Sequence, residues 1–327
     1  MEYEQLLGNS KNNKLKIVKN KLIKMYANSD SKKLNRIKII SIICLLVIAI
    51  SVFTIIFSNI KYNKMVEKRE REITEEKAKE EERKLAEEQK RKEEEEKKKR
   101  ENIPSNIPNA AEVVGAIYSG KEKKAFLTFD DGPSKITPQI LDVLKEENVK
   151  ATFFVLGKMV KINPEILKRE KEEGHYIANH SYSHEYDKIY SSTDAVLDEY
   201  NRCEEAIKEV LGQEYNTFLF RFPGGSYGGK SHNVKQKAKA MLAEKNIAST
   251  NWNCLTGDAA GNNSVESQMK EFNDTRSKDR NLIVLMHDAG DKKYTPETLR
   301  QVIKTLKDEG YTFHNFYEIF KKEEQQG

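Results

Sequence analysis

Five short polar clusters in the last two thirds of the chain hold the residue types that acid–base and metal-ion chemistry need. They are Asp130-Asp131-Gly132, His180 to His184, Arg221 to Ser226, Asn251-Trp252-Asn253 and His287-Asp288. Each directly follows a β-rich run: AFLTF, YIAN, FLF, IAST and LIVLM. One polar strand end is unremarkable, but five in succession suggest a shared site. His180 and His184 are four residues apart, which puts both imidazoles on one face if the segment turns helically. With Asp131 they form a two-histidine, one-carboxylate set. Such a set leaves a fourth tetrahedral position open, as catalytic zinc requires, and also suits cobalt or manganese. His175, His232 and His314 lack such company. His175 precedes a strand and His232 opens a helix, so surface or capping roles are expected for both.

The elements that must position these residues are legible from periodicity. From Lys124 onward the β-rich runs AFLTF, ATFFVLG, YIANH, FLFRF, IASTNW, LIVLM and YTFHNF alternate with amphipathic helical stretches. Such alternation predicts a parallel sheet covered by helices, and about seven strands in this length favour a distorted (β/α) barrel over an open sheet. In a β/α barrel, side chains at the C-terminal strand ends and in the loops after them do the chemistry.

The N-terminal third differs. The first 38 residues carry ten Lys/Arg against three acids, a surplus of seven (10 − 3), so the chain's net charge of +5 belongs to this tail. A polybasic tail could bind nucleic acid. This one abuts Ile39 to Phe57, which has no charged residue, and that context favours a membrane instead. At ~1.5 Å per residue the run reaches ~28 Å, about a hydrocarbon thickness. The positive-inside rule places the basic tail in the cytoplasm and everything after Ile60 outside. A cleaved signal peptide has a shorter apolar core and a small-residue site after it, neither of which is present, so an uncleaved anchor is expected.

The stretch 61–101 is almost wholly Glu, Lys, Arg, Gln and Ala without Gly or Pro. It reads equally as a helix stabilised by pairs such as Glu75 with Lys79 and Glu94 with Lys98, or as a solvated linker. Its apolar positions are too sparse for sustained heptads, so a coiled coil is the weaker reading. Pro104 and Pro108 then mark a boundary. The expected organisation is a basic cytoplasmic tail (1–38), a transmembrane anchor (39–60), a charged spacer (61–101), a linker (102–120) and a catalytic domain (121–320). Cys44 lies inside the apolar run, and Cys203 and Cys254 are expected to stay unpaired.

In order, TFDDG (128–132), HSYSH (180–184), RFPGG (221–225), TNWN (250–253) and LMH (285–287) resemble the five motifs of polysaccharide deacetylases with the NodB homology domain, carbohydrate esterase family 4. The resemblance covers about Lys123 to Phe316. It implies Asp130 as general base, Asp131, His180 and His184 as ligands of a divalent metal, and Arg221 as the residue that holds Asp130 ionised. His287 is implied as general acid. Pro223 and Gly224 would shape the acetate pocket, with the Gly224 N–H helping to stabilise the oxyanion, and Leu285 and Trp252 would line it. Two positions depart from the pattern. Gly224 and Gly225 follow Pro223 where the family usually has an aromatic, and Asn251 stands where the family has an aspartate beside the tryptophan. A neutral amide cannot raise an imidazole pKa as a carboxylate does, so His287 is expected to titrate low.

The resemblance implies a metal-dependent, membrane-tethered enzyme that removes N-acetyl groups from peptidoglycan on the outer face of the membrane. Other substrates, such as poly-N-acetylglucosamine, chitin fragments or acetylated xylan, fit the same motifs. A catalytically weak cell-wall-binding module is the alternative from another class. Oligomeric state is not legible.

Overall fold

The computed structural model of the protein describes residues 15–21, 31–100, 103–261 and 263–320. It divides into two compact units, Met1–Lys90 and Arg91–Gly327. Most of the expected cytoplasmic tail, 1–14 and 22–30, lies outside the described residues.

The first unit is built on α1 (Ser31–Arg100), which is long and apolar enough to cross a membrane and buries none of its apolar window in the protein. The same helix runs through the charged stretch as far as Arg100. Exposed pairs such as Lys68–Glu72 (3.7 Å) and Lys84–Glu80 (3.4 Å) line it, each adding only ~0.2–0.5 kcal/mol. The Glu94 and Lys98 side chains lie outside the described ones.

The second unit is a parallel α/β half-barrel. Its strands are β1 (Lys124–Asp130), β2 (Thr152–Val155), β3 (Tyr176–Asn179), β4 (Leu219–Phe220), β5 (Ala248–Ser249), β6 (Cys254–Leu255), β7 (Leu282–His287) and β8 (Thr312–His314). Seven of them follow the order β5-β4-β3-β2-β1-β7-β6, and β8 pairs with the first half of β1. The sheet ends at β5 and β6, which are joined by only the four residues 250–253, so the barrel is open at that seam. Strand β6, two residues long, was too short to show in the hydrophobic pattern.

Strand periodicity sorts the core into two layers. Ala125, Leu127 and Phe129 of β1, with Leu282, Val284 and Met286 of β7, pack outward against the helices. Phe126 and Ile283 face the interior with Phe154 and Tyr176. Alternation along each strand therefore also turns Thr128, Asp130, Leu285 and His287 inward. The covering helices obey the helical period. In α7 (Thr193–Leu211), Val196, Tyr200, Cys203 and Ile207 form one buried stripe, and Ser192 caps its N-terminus by accepting from Ala195 N at 3.1 Å. Cys203 and Cys254 are buried free thiols.

One boundary is corrected. The expected linker 102–120 is, from residue 103, part of the folded unit. Ser105 N donates to Phe320 O at 2.8 Å, and Ala110, Val114 and Ile117, on and just after α2 (Ala110–Ala116), join the inner core. An open half-barrel leaves its inner apolar face uncovered, and this segment covers it beside β5.

Candidate functional site

The inner face of the strands delivers the first pair of groups. Asp130 and His287 are register partners at the C-terminal ends of the adjacent strands β1 and β7. Asp130 is buried, and its Oδ1 accepts from Arg221 Nη1 at 2.8 Å. The Arg221 side chain is 0% exposed. Its guanidinium also donates to Thr128 Oγ1 (2.8 Å) and to the Asn251 backbone carbonyl (2.9 Å), and lies 3.9 Å from the Phe154 ring centroid. A planar fork held on three sides cannot follow the carboxylate elsewhere, so Asp130 is fixed in orientation. Burial pushes the Asp130 carboxyl above its ordinary pKa, while Arg221 and then His287 pull it back. The result is a carboxylate with raised basicity.

Beside it, Asp131, His180 and His184 converge, with their ligand atoms all within 4.8 Å of one another. Asp131 Oδ1 is 3.7 Å from His180 Nε2 and 3.4 Å from His184 Nε2. Tetrahedral ligands ~2.0–2.1 Å from a zinc ion sit about 3.4 Å apart, so the spacing fits a small divalent cation. Asp131 Oδ1 is buried without a hydrogen-bond partner, an orphaned acceptor of the kind a cation satisfies. His180 Nδ1 lies 2.8 Å from the Arg221 backbone carbonyl, which fixes the tautomer that presents the Nε2 lone pair. Burial lowers the His180 pKa to about 3, so the ring is neutral and able to ligate.

The two histidines do not meet by a helical turn. Ser181 and His184 have φ values of 76° and 60°, and the segment is an irregular loop. Buried Glu199 of α7 holds it by accepting from Tyr182 N (3.1 Å) and Ser183 N (2.7 Å). Nothing in the local sequence marked Glu199. His175 is also corrected: it is buried, and its Nδ1 accepts from Ala151 N at 3.1 Å. His232 opens α8 (His232–Glu244) as expected.

On the other side stands a residue that sequence reasoning missed. Asp258 Oδ1 lies 2.8 Å from His287 Nδ1, and Asp258 Oδ2 accepts from His287 N at 2.7 Å. Burial works against a charged imidazole here. The hydrogen bond and charge of Asp258, followed by the charges of Asp130 and Asp131, outweigh it and raise the His287 pKa to about 9. The expectation that His287 titrates low is therefore overturned. Asn251 is engaged elsewhere: its Oδ1 accepts from Ser226 N (3.0 Å) and its Nδ2 donates to Ser226 Oγ (2.9 Å). The signal for Asp258 lay seven residues beyond Asn251, past the two-residue strand β6.

Asn251 thus anchors the turn from Pro223 to Ser226. Tyr190 donates to Pro223 O (2.7 Å) and Lys235 Nζ to Gly225 O (2.8 Å). Gly224 and Gly225 have φ values of 70° and 76°, a region that disfavours other residues. Trp252, partly buried against the inner core, packs on Gly225, and Leu285 lies on the inner face of β7 in register with Thr128. All eleven site residues singled out from sequence, Asp130, Asp131, His180, His184, Arg221, Pro223, Gly224, Asn251, Trp252, Leu285 and His287, belong to this end of the half-barrel. Asn251 differs only in its partner.

Fold and site together define a NodB-like half-barrel hydrolase with room for a divalent cation between two histidines and an aspartate. The chain belongs to the polysaccharide deacetylase family. The family's sequence profile, described as "Polysaccharide deacetylase", matches residues 118–243. A peptidoglycan-N-acetylglucosamine deacetylase of Bacillus cereus is 33% identical over 207 residues, 62% of this chain and 72% of that protein. A peptidoglycan-N-acetylmuramic acid deacetylase of Bacillus subtilis is 33% identical over 65% of this chain and 78% of its own length. Among solved structures, a Streptococcus mutans CE4 esterase superposes with a TM-score of 0.57 at 35% identity, covering 63% of this chain and 90% of that one. By family, this chain is a polysaccharide deacetylase.

Proposed function

We propose that the protein deacetylates N-acetylated amino sugars of peptidoglycan on the outer face of the membrane, using a divalent cation, zinc in the first instance, held by Asp131, His180 and His184. The observation that carries the reading is the arrangement of a buried, arginine-held carboxylate (Asp130) and an aspartate-held imidazole (His287) around that three-ligand set. When bound, the cation supplies a Lewis acid that polarises the acetamide carbonyl and makes water acidic enough to attack near neutral pH. Asp130 takes the proton of the attacking water, and Arg221 keeps its oxygens aimed. The Gly224 N–H contributes to stabilising the developing oxyanion. His287, protonated through Asp258, gives its proton to the departing sugar amine. Acetate leaves, and the freed amine stays on the polysaccharide.

Two features support peptidoglycan and the outer face. Relatives at about 33% identity carry peptidoglycan in their names. The apolar helix follows a basic tail and continues into a helical spacer whose residues 61–100 span ~60 Å, a reach that suits a substrate outside the membrane.

The test is acetate release from purified peptidoglycan by the detergent-solubilised full-length protein, with zinc, cobalt or chelator. Release that requires metal and is lost in Asp130→Ala and His287→Ala is the expected result. Release only from chitin oligomers or xylan would reassign the substrate, and no release from any glycan with metal bound would overturn the enzymatic reading.

A further inference from the structure

Four large apolar side chains of the folded unit are exposed among the described residues: Val113, Ile162, Tyr186 and Tyr227. Of these, Tyr186 lies against the candidate cation site. It opens the short helix α6 (Tyr186–Ile189), two residues after His184, and its ring centroid is 5.3 Å from that of His184 at a tilt of 40°. The other end of the side chain reaches the Pro223–Ser226 turn, where a Cβ added to Gly224 would fall 2.7 Å from the Tyr186 hydroxyl oxygen. Tyr186 therefore spans from a candidate cation ligand to the candidate oxyanion donor, and Gly224 carries no side chain in the space that the phenol fills. The ring is also backed by Tyr190 at 6.0 Å. Its hydroxyl makes no hydrogen bond to the protein among the described residues, and the residue is 51% exposed. A half-exposed aromatic held between neighbouring rings at the edge of a site has the makings of a stacking platform.

We propose that Tyr186 is a substrate-binding residue of the cleft. Its exposed face packs on the pyranose ring whose acetamide sits at Asp131, His180 and His184, giving the cleft an aromatic wall beside a turn that has only glycines. The proposal rests on the deacetylase reading and names the residue through which that site recognises a sugar ring.

The experiment uses detergent-solubilised full-length protein with N-acetylglucosamine oligomers as probe. Oligomer affinity is measured calorimetrically in an Asp130→Asn background, steady-state kinetics in the otherwise native chain, and zinc affinity by chelator competition. Tyr186→Ala is expected to raise the oligomer Kd and KM about tenfold, with a smaller change in kcat and an unchanged zinc affinity. Tyr186→Phe is expected to restore binding to within about twofold, because the ring face makes the contact. Wild-type affinity in Tyr186→Ala would overturn the assignment alone. Parallel loss of zinc and oligomer binding would also overturn it, making Tyr186 a positioning residue for His184. A native chain inert towards every glycan would overturn the deacetylase reading and this assignment with it.

Discussion

Asp258 grips His287 twice, through the backbone N–H at 2.7 Å and through ring Nδ1 at 2.8 Å, and takes a third bond from Thr295 Oγ1 at 3.1 Å. One carboxylate thus fixes both the position and the protonation of the ring, leaving Nε2 as the nitrogen free to exchange a proton. Aspartate-held imidazoles are a general device for keeping a histidine charged near neutral pH.

Removing that carboxylate should shift the pH profile. In Asp258→Asn, burial would act on His287 unopposed by its neighbour, and the alkaline limb of kcat should move to lower pH, with kcat at pH 8 falling about 10²-fold or more. Stability should follow with a defined sign. A histidine whose folded pKa is raised to about 9 stabilises the fold fully below its unfolded pKa of ~6.5 and loses that contribution as pH rises through the folded value. The Tm difference between native protein and Asp258→Asn should therefore be large at pH 6 and shrink towards pH 10.

Asn251→Asp gives the contrasting result. Because the Asn251 amide bonds to Ser226 and not to His287, restoring a carboxylate there should leave the alkaline limb where it is. A move of that limb to higher pH would return Asn251 to a direct role beside the acid.

Glu170 is a buried carboxyl with neither oxygen hydrogen-bonded, and burial, followed by the charge of Asp288, raises its pKa well above the ordinary value. Here the sign is opposite. The unfolded chain ionises near pH ~4.5 while the folded one resists, so this group subtracts stability as pH rises above that point. Glu170→Met should raise stability by roughly 1–3 kcal/mol at pH 7. Urea melts at pH 7 and pH 4 should show the gain fading at the lower pH.

Tyr118 ties the segment before β1 to the site. Its hydroxyl accepts from Asn251 N at 2.8 Å and pairs with Thr250 Oγ1 at 2.8 Å, and the Asn251 carbonyl receives Arg221. Tyr118→Phe leaves a buried N–H without its acceptor and should cost about 1–2 kcal/mol. A chain beginning at residue 121 should be insoluble, because Phe126, Phe154 and Tyr176 lose the cover of Ala110, Val114 and Ile117. Soluble yield and a thermal melt, compared with a chain beginning at residue 103, would check this.

Period-2 runs and the polar residues directly after them were enough to identify β1, β3 and β7, and with them Asp130, His180 and His287, because strand geometry alone sends those side chains to one face and one end; Asp131, the next residue after Asp130, joins them through a backbone φ of 78° just past β1. The apolar run 39–57 was legible by length as part of a helix long and apolar enough to cross a membrane. Local pattern could not reach contacts between distant segments. Asp258 is unremarkable in sequence and meets His287 only when β6 pairs with β7. Glu199 holds the His180–His184 loop from a helix whose sequence shows only its apolar stripe, and residues 103–119 look like a linker until the open seam of the half-barrel gives them an apolar face to cover. Partners of this kind are set by how the chain closes in space, so their hydrogen bonds and charges, including the ones that raise the pKa of His287, belong to the tertiary structure alone.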